Sequence, residues 1–415
     1  MSAPAIPQLR GRDPADVPLD EFDVSHPWLY WTDGIWPYFA RLRAEDPVNY
    51  CKASPFGPYW SVTKYKHIME VEAAPEIFSS EPAITLQDNP EDLPIETFIA
   101  MDPPRHDDQR KAVQPAVAPR NLAKLEPLIR ERISRILDEL PVGETFNWVD
   151  RVSVELTTQM LATLFDFPFE DRRRLTFWSD ATTAIPGPTA VVATREEQFA
   201  AIQECMQYFL GVWKERAAGA PGNDFISMLA HNPATQNMSS MEYLGNLILL
   251  IVGGNDTTRN SLSGGVLFLN QNPSEYDKLR ADHGLIPSMV SEIIRYQTPV
   301  VAMRRTATQD TILAGKHIRK GEKVMLWYVS GNRDEEAIDN ADAFIIDRER
   351  PRQHLSFGFG IHRCMGNRLA EMQLRVTWEE VLKRFSFVEV VGEPERTFSS
   401  LIRGYTQMPV RLHPL

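Results

Sequence analysis

The residue best able to do chemistry in this chain is Cys364, set in the segment HLSFGFGIHRCMGNRLAE. Phe357, Gly358 and Gly360 read as a tight turn ahead of it, and Gly366 lets backbone approach closely beside the sulfur. The spacing puts Cys364 at a helix start, where free N–H groups and the dipole favour thiolate over thiol. His362, Arg363 and Arg368 add positive charge. A thiolate held this way is a strong metal ligand, and N–H groups aimed at the sulfur tune it. The competing reading, a small hydrophobe in a glycine turn, suits Cys51 and Cys205 better. The segment lacks the glycine spacing of a dinucleotide or phosphate loop.

Three more groupings carry chemistry. Leu249–Thr258 reads LLIVGGNDTT, with two glycines and an Asp-Thr pair inside a helical pattern. Each glycine costs about 1 kcal/mol relative to alanine there, and Asp and Thr prefer backbone partners to a helix interior. A purely structural helix rarely accumulates all four, so Gly254, Asp256 and Thr257 read either as an opening beside a reactive centre or as a helix-packing glycine pair with incidental polar neighbours. His106 and Arg110 share a helix face at i and i+4, and Arg305 and His362 are further cations able to meet a buried anion. Glu292 and Arg295, at i and i+3, can pair on one helix face.

These residues are set in a 415-residue chain that reads as mostly α with a smaller β-rich part, in a single domain. Residues 1–25 are expected to form a Pro-rich N-terminal arm and 26–415 the folded domain. Val48–Tyr50 and Tyr59–Val62 flank SPFGP and predict a hairpin. Residues 81–104 read as one long loop. Helical spacing dominates from Arg105 to about Arg280, with one pattern over 240–271 that stops at Asn272-Pro273. Another helix is expected at 286–297, strands at TILAG and KVMLWYV, and a helix from just after Cys364 to about Arg384. The formal charge of −12 argues against nucleic acid as the main partner. The three scattered cysteines suit a reducing cytoplasm, and no apolar run is long enough to serve as a membrane anchor.

Phe357-x-x-Gly360-x-x-x-Cys364-x-Gly366 resembles the cysteine-ligand loop of the cytochrome P-450 monooxygenases, and the other groupings occur in that family's order. The resemblance implies the triangular-prism fold of that family. Haem b lies there between a long distal helix and a cysteine helix, with Cys364 ligating the iron. It implies contacts to the cofactor from His106, Arg110, Arg305, Phe357, Gly358, His362 and Gly366. Thr257 becomes the hydroxyl above the iron and Asp256 its proton relay. Glu292–Arg295 becomes a buried structural pair. Many members add a third Arg to it, but NADAF puts Ala343 at that place, which leaves Arg333 or Arg348 to substitute.

The runs FIAMDPPRHDDQR and HLSFGFGIHRCMGNRLAEMQLR resemble the bacterial group that hydroxylates terminal carbons of medium-chain alkanes and related aliphatics. On that pattern Ile84, Ile95, Phe98, Leu250, Gly254, Val301, Met303 and Leu401 line the substrate pocket. A bulkier terpenoid or steroid is the alternative substrate. The resemblance also implies a monomer fed with electrons by a [2Fe-2S] ferredoxin and an NAD(P)H-dependent ferredoxin reductase. Docking is expected around Arg120, Arg352, Arg363 and Arg368. A haem sensor would need a signalling partner surface, and a peroxygenase of this kind tends to lack the Asp-Thr pair.

Overall fold

The computed structural model describes residues 12–88, 96–187 and 190–415. The long apolar pattern folds as one helix, Ser240–Gln271. Ser239 caps it by accepting from the Glu242 N–H at 3.1 Å, and Asn272-Pro273 stops it, as the sequence predicts. At 1.5 Å per residue it runs about 48 Å. Its two halves belong to different cores. Leu247 and Ile251 join a cluster with Leu161, Trp178 and Phe209. Leu262 and Val266 join another with Ile133, Ile293 and Trp378. The helices Glu155–Leu164, Arg173–Thr183, Ile286–Gln297 and Asn367–Leu382 pack directly against it.

The β-rich part is a mixed five-stranded sheet. Its strands lie in the order Val48–Cys51, Tyr59–Val62, Lys323–Leu326, Met303–Ala307 and Phe78–Ser79. The expected hairpin forms with Val48 opposite Val62 and Cys51 opposite Tyr59. Tyr59–Val62 then runs parallel to Lys323–Leu326. The strand expected through Val329 ends at Leu326 instead. Ser330 and Gly331 N–H groups both bond the Trp327 carbonyl at 3.0 Å and turn the chain into the short helix Tyr328–Gly331, burying Trp327 and Tyr328. Within the stretch read as an arm, the part from Arg12 onward sets Val17, Phe22 and Val24 in a core with Tyr38, Phe39 and Trp327.

A buried ionic knot ties the helix Ile286–Gln297 to the cysteine segment. Arg295 meets Glu292 through two bonds of 2.8 Å, and both side chains are fully buried. Arg348 is the third partner, with its Nε 2.9 Å from Glu292. Arg333 instead stacks on Tyr296 and Trp36. Arg295 also donates to the carbonyls of Asn332, Ala341 and Ala343. Asn332 passes the constraint on: its Oδ1 accepts from the Leu355 N–H at 2.6 Å and its Nδ2 donates to Ser356 Oγ at 2.9 Å. The turn before Cys364 is therefore held from behind.

Candidate active site

That turn closes on itself where the Cys364 N–H donates to the Phe357 carbonyl at 2.8 Å. Gly358 and Gly360 have φ of +66° and +64°, the left-handed region where a side chain is strained. At Gly360 a Cβ would also lie 2.2 Å from the Glu72 carbonyl oxygen, so only glycine fits against the end of the helix Tyr65–Glu72. Cys364 precedes the helix Asn367–Leu382 by three residues rather than starting it. Gly366 and Asn367 N–H groups face the sulfur and, with Arg110 and Arg363, pull its pKa down. The protein packed around the sulfur outweighs them and raises the thiol above its ordinary value, although Cys364 is exposed toward the cleft on its outer side. The N–H groups and cations act in the expected direction without prevailing, and a metal ion, when bound, would supply the remaining drive toward thiolate.

Four cationic or donor groups converge beside this loop. The rings of His106 and His362 lie 4.2 Å apart, and Arg305 and Arg110 both press on His362. Burial and these positive neighbours push His362 down to about 2, and burial lowers His106. His362 Nε2 is 2.8 Å from Ser80 Oγ, and His106 Nδ1 is 2.8 Å from Asp107. The other nitrogens, His106 Nε2 and His362 Nδ1, are buried without a partner. Such a set asks for a buried anion with two or more acceptors, and the two propionates of haem meet it. Arg110 also donates to the Arg363 carbonyl, which fixes it against the cysteine segment.

The distal side divides two residues that the sequence reading joined. Thr257, half-buried, rests its hydroxyl on the Gly253 carbonyl at 2.8 Å. Asp256 is fully buried and turns the other way, with Oδ1 2.8 Å from Arg259 and Oδ2 without a partner. Arg259 in turn sits 2.6 Å from Asp180 on the helix Arg173–Thr183. Burial, partly offset by Arg259, raises the Asp256 carboxyl above its ordinary value. The two glycines divide as well. At Gly253 a Cβ would meet nothing within 4 Å, whereas at Gly254 it would lie 2.9 Å from Leu161 Cδ2. Gly254, expected in the pocket, is a helix-packing glycine, and Gly253 is the open one.

Of the other expected pocket residues, Ile84, Met303 and Leu401 are half-buried. Phe98 and Leu250 pack into the core around Trp178 and Phe209, and Val301 into the core around Trp327. Ile95 lies outside the described residues. Met365, beside Cys364, packs against the same cluster as Leu250 and so links cysteine loop and distal helix. On the outer side of Cys364 a cleft of about 780 Å³ is lined by Arg110, Lys111, Arg352, Arg363 and Arg368, with Glu371 as its acid. Arg120 is exposed beside its Pro119 wall. Asp180 and Glu72 carry no sequence signal, being far in the chain from their partners, but Arg259 was legible at i+3 from Asp256.

Residues 27–408 match the cytochrome P-450 family model. The linalool 8-monooxygenase of Pseudomonas putida is 35% identical over 95% of this chain and 100% of its own length. The methyl-branched lipid omega-hydroxylase of Mycobacterium tuberculosis strain H37Rv is 32% identical over 97% of each. Among solved structures, cytochrome P-450-153 from Novosphingobium aromaticivorans superposes with a TM-score of 0.88 at 47% identity, covering 94% of this chain and 99% of that one.

The split between the glycines is testable by denaturation. Gly253→Ala gains helix propensity at no steric cost and should raise stability by up to about 1 kcal/mol. Gly254→Ala must displace Leu161 and should be neutral or destabilising. Equal shifts in the two unfolding midpoints would contradict the assignment.

Proposed function

The chain belongs to the cytochrome P-450 family and is a haem-thiolate monooxygenase that binds haem b. From that premise we propose that it hydroxylates the terminal carbon of medium-chain alkanes or related aliphatics. The observation that carries this reading is the open backbone at Gly253 beside the Thr257 hydroxyl, where a slender chain end can approach without meeting a side chain. The half-buried apolar side chains Ile84, Met303 and Leu401 support it, as does a relative named for omega-hydroxylation of methyl-branched lipids. The linalool relative favours a second reading, a terpenoid.

Cys364 is the residue to hold the iron, with His106, Arg110, Arg305 and His362 on the propionates. Phe357, Gly358 and Gly366 shape the loop around the sulfur. When bound, haem supplies a thiolate-ligated iron able to activate dioxygen. The chain's own part is to orient the substrate and move protons. Thr257 delivers a proton from Oγ1. Asp256 replenishes it, which requires its carboxyl to leave Arg259, because no bond joins it to Thr257 in the resting geometry. Its raised pKa favours a carboxyl that accepts a proton near neutral pH.

Electrons come from a redox partner, as bacterial members of the family typically require. The basic cleft outside Cys364 suits a small acidic [2Fe-2S] ferredoxin served by an NAD(P)H-dependent reductase. No helix among the described residues is long and apolar enough to cross a membrane.

Haem difference spectra titrated with linear alkanes, fatty acids, terpenoids and steroids, followed by product analysis, test the substrate. Tightest binding and terminal alcohols are expected from linear aliphatics, and a preference for ring compounds would overturn the proposal. Cys364→Ser should abolish the long-wavelength Soret band of the reduced CO complex, and a retained band would remove Cys364 as ligand. Thr257→Ala should divert electrons from product into hydrogen peroxide, lowering product per NAD(P)H consumed about tenfold or more. Unchanged coupling would refute its role.

A further inference from the structure

Glu72 ends the helix Tyr65–Glu72 with its carboxylate wholly inside the protein, the side chain 1% exposed. Three separate segments reach it. Tyr328 donates its hydroxyl to Oε1 at 2.6 Å, and the Phe359 N–H donates to Oε2 at 2.8 Å. Arg305 Nη2 stands 3.5 Å from Oε1. The helix end and the cysteine loop are also pressed together at Gly360, as described above. Burial raises the Glu72 carboxyl, while Arg305, Tyr328 and Phe359 each pull it back toward the ionised form.

The Arg305 contact is the telling one. At 3.5 Å, through one nitrogen, it is far from the paired 2.7–2.9 Å geometry that an arginine and a carboxylate adopt when they fully satisfy each other. Arg305 spends its Nη1 on the Arg304 carbonyl, 2.9 Å away. Its guanidinium, 4% exposed, is thus underpaired and able to serve a second anion. Glu72 meanwhile uses its other oxygen on the loop that reaches Cys364 five residues after Phe359.

We propose that Glu72 is a positioning residue for the haem site, one that shares Arg305 with a haem propionate and clamps the cysteine loop through the Phe359 N–H. It sets how much of the Arg305 charge would reach the cofactor edge and places a buried carboxylate against the cysteine loop. This rests on the reading of Arg305 as a propionate partner.

The test uses the haem-loaded enzyme, its iron midpoint potential and the rate of haem transfer to apomyoglobin. Glu72→Gln removes the charge and keeps an acceptor for Phe359. It should raise the midpoint potential, because a buried negative charge stabilises ferric iron, and leave haem transfer close to wild type. Glu72→Ala loses the clamp as well and should speed haem transfer about tenfold, as expected for a charge-assisted hydrogen bond. Tyr328→Phe is the milder variant should either fail to fold. It weakens the negative charge on Glu72 and should shift the potential upward by less than Glu72→Gln. A wild-type potential in Glu72→Gln, or wild-type haem transfer in Glu72→Ala, overturns the proposal. Arg305→Gln separates the two readings: wild-type haem transfer there refutes the propionate role itself, whereas faster transfer with a silent Glu72→Gln refutes only Glu72.

Discussion

Burying a carboxylate is costly unless donors surround it, and this molecule spends two such carboxylates on gripping one loop. Glu292 takes Arg295 and Arg348, and Arg295 extends through Asn332 to Leu355 and Ser356. Glu72 takes the Phe359 N–H directly. The turn ahead of Cys364 is thus held at its start by one knot and at its middle by the other. Neither grip needs to add net stability to be useful, since an apolar replacement often does as well. What the ion pairs supply is direction. Each donor has one geometry, and a loop at left-handed φ on two glycines has few other means of being held in a single shape.

The distal helix solves the opposite problem, how to stay a helix while opening one point of its surface. Its ends are anchored in two different cores, so the middle can tolerate unfavourable residues. Gly253 leaves its side-chain position empty, and the neighbouring glycine lets Leu161 approach. Polar side chains inside the helix are satisfied locally or across a helix contact. Thr257 bonds the Gly253 carbonyl, and Asn255 accepts from Thr157 at 2.9 Å. Asp256 alone keeps an oxygen unpaired. An unpaired buried acceptor is costly, and the Nε of its partner Arg259, in the same helix, is unpaired as well.

How much of this was legible in the sequence follows from distance along the chain. The long helix was readable to the residue because its period and its Asn-Pro stop are both local. So was the Glu292–Arg295 pair at i and i+3. The third arginine was narrowed to two positions, and only the folded chain separates Arg348 on Glu292 from Arg333 on aromatic rings. The strand through KVMLWYV was overextended because apolar β-prone residues look alike in a strand and in a buried turn. Glu72 and Asp180 are ordinary acidic residues in ordinary helices. Their meaning comes from partners 287 and 79 positions away.

The protonation of the site follows from the same burial. Burial raises the Cys364 thiol, lowers His106 and His362, and raises Asp256 and Glu72. In every case the neutral form gains. The thiol and the two imidazoles therefore stand ready to change charge when a partner ion arrives, beside the Arg110 and Arg305 cations. An iron ion favours the thiolate, and propionates favour protonated, donating imidazoles. Charges formed this way meet little water and interact more strongly than they would at the surface.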